Sequence, residues 1–92
     1  MTTKTDILKE VIQKKSKSQT LMVLDSMIDN LDEFLAVEIT QPAVITELHE
    51  LLVEHLEVNP RAMQLKHRVP ARQRRALLFL RAMRSAVDRV ED

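Results

Sequence analysis

Not one of the 92 residues is a glycine. Tight β-hairpins need residues that enter left-handed backbone regions, and glycine does so at the least steric cost. Its absence weighs against hairpin-rich folds. It also removes the loops that cradle phosphate and the strained elbow that presents a catalytic serine. The apolar residues recur instead at helical spacing.

Thr3-x-x-Asp6 has the form of a capping box, with aspartate in place of the usual glutamate. Ile7, Leu8, Val11 and Ile12 follow as a short apolar stripe. Residues 13–20 contain no apolar side chain and read as either a loop or a solvated stretch of one long helix. Ser18 or Thr20 is placed to cap what comes next. Leu21, Leu24, Ile28, Leu31 and Leu35 alternate steps of three and four, which predicts a second helix. Met27 and Phe34 widen its stripe, and Asp25, Asp29, Asp32 and Glu33 fall opposite. Gln41-Pro42 marks a new start, because proline suits the first helical position. Val44, Ile45, Leu48, Leu51, Leu52 and Leu56 then form a broad arc, with Glu47, Glu50, Glu54 and Glu57 on the far side. Asn59-Pro60 repeats the start signal. A short element over about 60–67 ends before Pro70, and a last helix runs from about Pro70 to near Val90.

These elements predict an all-α fold, a small bundle of four or five helices in which residues 1–92 form one domain. A chain of this length builds a modest core. With no cysteine, neither disulfides nor thiolate metal sites can brace it. Homo-oligomerisation is the expected remedy. The polar opening Met1–Asp6 lacks the apolar region of a signal peptide, and no apolar run is long enough to span a bilayer. A cytoplasmic protein without a membrane partner is expected.

Net charge is zero, yet its distribution is uneven. Residues 1–17 carry +3, residues 18–59 carry −9 with no lysine or arginine, and residues 60–92 carry +6. All eight arginines lie in that last segment. Such asymmetry marks either a charged partner or helices of opposite sign facing each other within the bundle.

Catalytic chemistry finds little foothold. His49 and His55 are six residues apart, whereas the zinc-protease motif needs a spacing of four. On an ideal helix their rings diverge by about 120°. His55 sits near the centre of the apolar arc and is expected to be a core or interface residue. The serines lack triad context, and the carboxylates lie on polar helical faces. No enzyme activity, metal or cofactor is expected.

The segment Arg68–Arg84 carries the most information. Ala76, Phe79, Leu80, Met83, Ala86, Val87 and Val90 share one arc, the expected core face. Leu77 and Leu78 lie off it, because five consecutive apolar residues cover every direction around a helix. They predict a second contact surface, with Leu77, Leu78 and Phe79 as apolar anchors. A binding protein follows, with a regulatory or adaptor role through helix–helix contacts, self-associating as a homodimer and engaging another protein. Asp25, Asp29, Asp32, Glu47, Glu50 and Glu54 offer an acidic face. Arg61, Arg68, Arg72, Arg74, Arg75, Arg81 and Arg84 offer a basic one. The alternative is a regulator that contacts the phosphates of double-stranded DNA through the arginine-rich segment 61–84. A helix-turn-helix can be laid over residues 46–65, though its turn lacks glycine and its first helix carries four glutamates. Stacking on single-stranded RNA is disfavoured, with only Phe34 and Phe79 as aromatics.

Overall fold

The computed structural model describes residues 2–90. Glu91 and Asp92, counted above in the charge of the last segment, lie outside the described residues. The described chain is all helical. Its elements are α1 (Lys4–Gln13), α2 (Lys17–Asp29), α3 (Glu33–Ile39), α4 (Pro42–Leu56), a 3-10 turn (Pro60–Met63) and α5 (Arg72–Asp88).

Local chemistry explains most boundaries. Thr3 opens α1 with a capping box: its Oγ1 accepts from the Asp6 N–H at 3.1 Å, and the Asp6 carboxylate accepts from the Thr3 N–H at 3.3 Å. Between α1 and α2 the polar stretch is a turn, not a continuous helix. Lys15 enters the left-handed region at φ 59°. Its N–H reaches the Ile12 carbonyl at 2.9 Å, and the Ser16 N–H reaches the Val11 carbonyl at 3.3 Å. That is a Schellman closure. Ser16, rather than Ser18 or Thr20, caps α2 through the Gln19 N–H. Thr20 is buried, with its hydroxyl donating to the Ser16 carbonyl at 2.7 Å.

A side chain with a Cβ is strained in the left-handed region. Lys15→Gly is therefore expected to raise the unfolding free energy by up to about 1 kcal/mol, less the extra entropy that glycine gives the unfolded chain. A urea titration comparing the two chains measures it.

The stripe from Leu21 to Leu35 does not lie on one helix. The chain breaks at residues 30–32. Asn30 donates its side-chain amide to the Ser26 carbonyl at 2.9 Å, and Asp32 Oδ1 accepts from the Leu35 N–H at 2.8 Å. Asparagine and aspartate compete with the helical backbone in this way and favour its ends. The break resets the helical phase. In α3 the buried residues are Leu35, Ala36 and Ile39. Phe34 then stands about 145° from the middle of that arc on an ideal helix. It is 87 % exposed, although the stripe predicted it in the core.

Pro42 begins α4 as expected, and Glu57 ends it in a second left-handed conformation, φ 57°. Asn59 caps the next turn through the Arg61 N–H at 3.0 Å. That element closes at Met63, shorter than expected, and the chain runs irregularly to Ala71.

The core gathers Leu8 and Ile12 of α1, Leu24 and Met27 of α2, Leu48 and Leu52 of α4, Met63, and Leu80, Met83 and Val87 of α5, all fully buried. α5 packs on α2, α3 and the 3-10 turn, while α1 packs on both α2 and α4. Among the described residues, no helix is long and apolar enough to cross a membrane.

Candidate partner-binding groove

α5 buries Ala76, Leu80, Met83, Ala86 and Val87. Leu77 and Leu78 stand about 100° and 200° around from Ala76, away from that face. They are half-buried nonetheless, and they are not part of the core cluster. Two shallow hollows explain this. One, of about 460 Å³, lies between the end of α2 and the start of α5, lined by Ile28, Leu31, Leu77 and Leu78 with Gln73, Arg74 and Arg81. The other, of about 420 Å³, lies under the irregular segment, where Leu65 and Val69 meet Leu78, with Lys66, His67 and Arg74 around them. Arg74 and Leu78 line both hollows, so the two adjoin along α5, and the first is a groove with an apolar floor and a cationic rim. Arg75 secures one side, donating from Nη1 to the Val69 carbonyl at 3.1 Å. Phe79, half-buried, packs against the core.

The charges at this end of α5 do not serve the helix. Arg72, Arg74 and Arg75 occupy its first turn, where the macrodipole is already positive, and Ala71 supplies no side-chain cap. Among the described residues, Arg61, Arg68, Arg72, Arg74 and Arg81 have no carboxylate partner. Arg84 differs. Its Nε donates to Asp25 Oδ1 at 2.9 Å, and Asp88 lies 3.7 Å from its Nη1. The Asp25 hydrogen bond, reinforced by that carboxylate's charge, holds the Arg84 guanidinium above its ordinary pKa. So α5 packs against acidic α2, yet only one ion pair joins them. Most of the basic segment has no matching carboxylate among the described residues, and the positive potential of Lys66, Arg74 and Arg81 adds up at the groove and the hollow adjoining it.

The six acidic residues singled out above divide between elements. Asp25 faces Arg84, and Glu47 receives Lys9 at 2.9 Å. Asp32 is the cap of α3. Asp29, Glu50 and Glu54 are exposed. α2 and α4 make no substantial contact with each other, so their carboxylates do not form one patch.

The two histidines of α4 differ in their surroundings. Both are half-buried, and His49 hides its Nε2 with no hydrogen-bond partner among the described residues. Leu52 and Leu56 turn into the core and leave His55 at its edge. Burial lowers the His49 pKa below the ordinary 6.5, because the charged ring loses hydration. With the folded pKa depressed, the unfolded chain binds the proton first. The contribution of His49 to stability is therefore present above pH 6.5 and is lost as pH falls from 6.5 toward the folded value. His49→Gln is expected to flatten that acid limb in urea titrations between about pH 7 and pH 5.

Sequence periodicity also hid the most exposed large apolar residues among those described, Phe34 and Met22, the latter 71 % exposed. The Asn30-x-Asp32 break was the available signal for Phe34. For Met22 there was none beyond its place one residue after Leu21. No group of histidines and carboxylates among the described residues is arranged to hold a metal ion. Comparison with protein-family models, curated proteins and solved structures found no match.

Proposed function

We propose that the chain is a non-enzymatic, cytoplasmic binding protein with a regulatory or adaptor role, and that its groove seats an acidic amphipathic helix. One observation carries this. Leu77 and Leu78, with Ile28 and Leu31, floor a groove whose rim residues Arg74 and Arg81 lack carboxylate partners among the described residues. An apolar floor rewards burial of aliphatic side chains, at roughly 25 cal/mol per Å² removed from water. The free guanidiniums favour carboxylates flanking those anchors and accept them as two-pronged partners. This is the helix-in-groove mode of recognition.

Duplex DNA is the second reading, favoured by Arg68, Arg72, Arg74 and Arg75 around the uncapped start of α5. Two features oppose it. A polyanion leaves the leucines of the groove floor without a partner. The helix-turn-helix laid over residues 46–65 also loses its second helix, which is a four-residue 3-10 turn.

The test is fluorescence anisotropy with three labelled probes. The first is a short peptide with leucines at helical spacing and flanking glutamates, the second its lysine counterpart, the third a DNA duplex. The acidic peptide is expected to bind, the lysine peptide not. Leu78→Asp is expected to weaken the acidic peptide about tenfold or more, since part of one leucine's burial is lost and a like charge is introduced. Binding of duplex alone, with a steep salt dependence, would put the DNA reading in its place.

A further inference from the structure

Resting on the groove reading above, we infer that a second copy of this chain fills the groove with Phe34, forming a two-fold dimer. The chain carries the complement of its own groove. Phe34 is the most exposed large apolar residue among the described residues, at 87 %. It stands on a rigid base, because the Asp32 cap fixes the first turn of α3 and Leu35, Ala36 and Ile39 anchor the helix in the core. Carboxylates outnumber cations around it: Asp32 and Glu38 line the same surface hollow as Phe34 together with Lys4, and exposed Glu33 precedes it. An aromatic knob in a net acidic setting thus matches an apolar groove rimmed by Arg74 and Arg81. A ring entering such a groove also offers its face to a guanidinium.

Charge decides against the other self-pairings. Groove against groove sets Arg74 and Arg81 of one copy beside their equivalents in the other. Phe34 against Phe34 sets acids against acids. Knob into groove sets the net acidic side against the cationic rim, whereas Phe34 against Phe34 leaves Lys4 alone to offset three carboxylates on each copy. The two features are also neighbours, because Leu31 lines the groove and Phe34 lies three residues further on. In a two-fold interface, a contact from one copy to the other is repeated in reverse. Adjacent knob and groove allow both exchanges across one axis, and the assembly closes at two copies.

Sedimentation velocity over a concentration series tests this, with circular dichroism confirming the fold of each variant. The wild-type chain is expected to dimerise, and more weakly as salt rises. Phe34→Ala and Leu78→Asp are each expected to be monomeric at concentrations where wild type is a dimer. An equimolar mixture of the two is expected to recover a weaker dimer, because the intact Phe34 of one meets the intact groove of the other. Arg74→Glu reads the groove independently should Leu78→Asp unfold. A monomeric wild-type chain, dimerisation unchanged in Phe34→Ala, no recovery in the mixture, or growth beyond two copies would each overturn the inference. Anisotropy with the acidic peptide on Phe34→Ala separates the two levels. Peptide binding by a chain whose wild type stays monomeric removes the second copy and leaves the groove. Absence of peptide binding removes the groove itself.

Discussion

Leu80→Ala is expected to lower the unfolding free energy by about 2–5 kcal/mol, the usual range when a buried leucine is cut back and its surroundings relax only in part. Leu80 is fully buried in a helix that packs on α2, α3 and the 3-10 turn. Domains of this size hold about 5–15 kcal/mol in total. The loss is therefore a large share of the whole, and the midpoint of thermal unfolding should fall by more than about 10 °C. Leu77→Ala is the control. Leu77 is half-buried and stands outside the core cluster, so its truncation should cost clearly less. Urea titrations of both variants, followed by the helical signal, make the comparison. Equal losses would show that the groove floor is part of the core rather than a contact surface.

The second large effect concerns charge rather than packing. Arg74→Glu combined with Arg81→Glu is expected to reduce affinity for the acidic peptide roughly 30- to 1,000-fold, equivalent to about 2–4 kcal/mol for the removal of two charge-assisted hydrogen bonds. The fold should be unaffected, because both side chains are exposed and neither has a carboxylate partner among the described residues. Reversing Arg84 instead should weaken the link to Asp25 and leave peptide binding nearly intact, since Arg84 does not line the groove. Anisotropy at low and moderate salt, with the single reversals at 74, 81 and 84 beside the double variant, distinguishes a local rim effect from a change in net charge. A purely global effect would make reversal at position 84 as damaging as reversal at 74 or 81.

Much of the architecture was legible because its signals are local. A capping box at Thr3–Asp6, proline at the start of α4, the Asn59-Pro60 restart and the leucine spacing of α5 all act within a turn or two of helix. The displacement of Leu77 and Leu78 from the core face followed from helical geometry alone. The second helix was misread because periodicity sums apolar positions over many residues and does not register a side chain that stops the helix. Asn30 and Asp32 break the stripe by hydrogen-bonding to the backbone, and everything after them rotates to a new phase. The arc alone left His55 between core and interface, because a broad apolar arc does not reveal which of its edges the neighbouring helices cover.

The residue order by itself determined that this chain is helical, that its charges are segregated, and that α5 carries more apolar surface than one core can use. Those properties follow from helix geometry, capping chemistry and the lack of glycine. Tertiary structure alone decided how that surplus is handled. Laying residues 64–69 over Leu78 half-buries it and leaves a groove, and turning α3 away at residue 32 sends Phe34 outward. Packing also decided that Asp25 meets Arg84 while Arg74 and Arg81 meet no carboxylate among the described residues. Each of these outcomes depends on distances between segments far apart in the chain, which spacing along one helix does not encode.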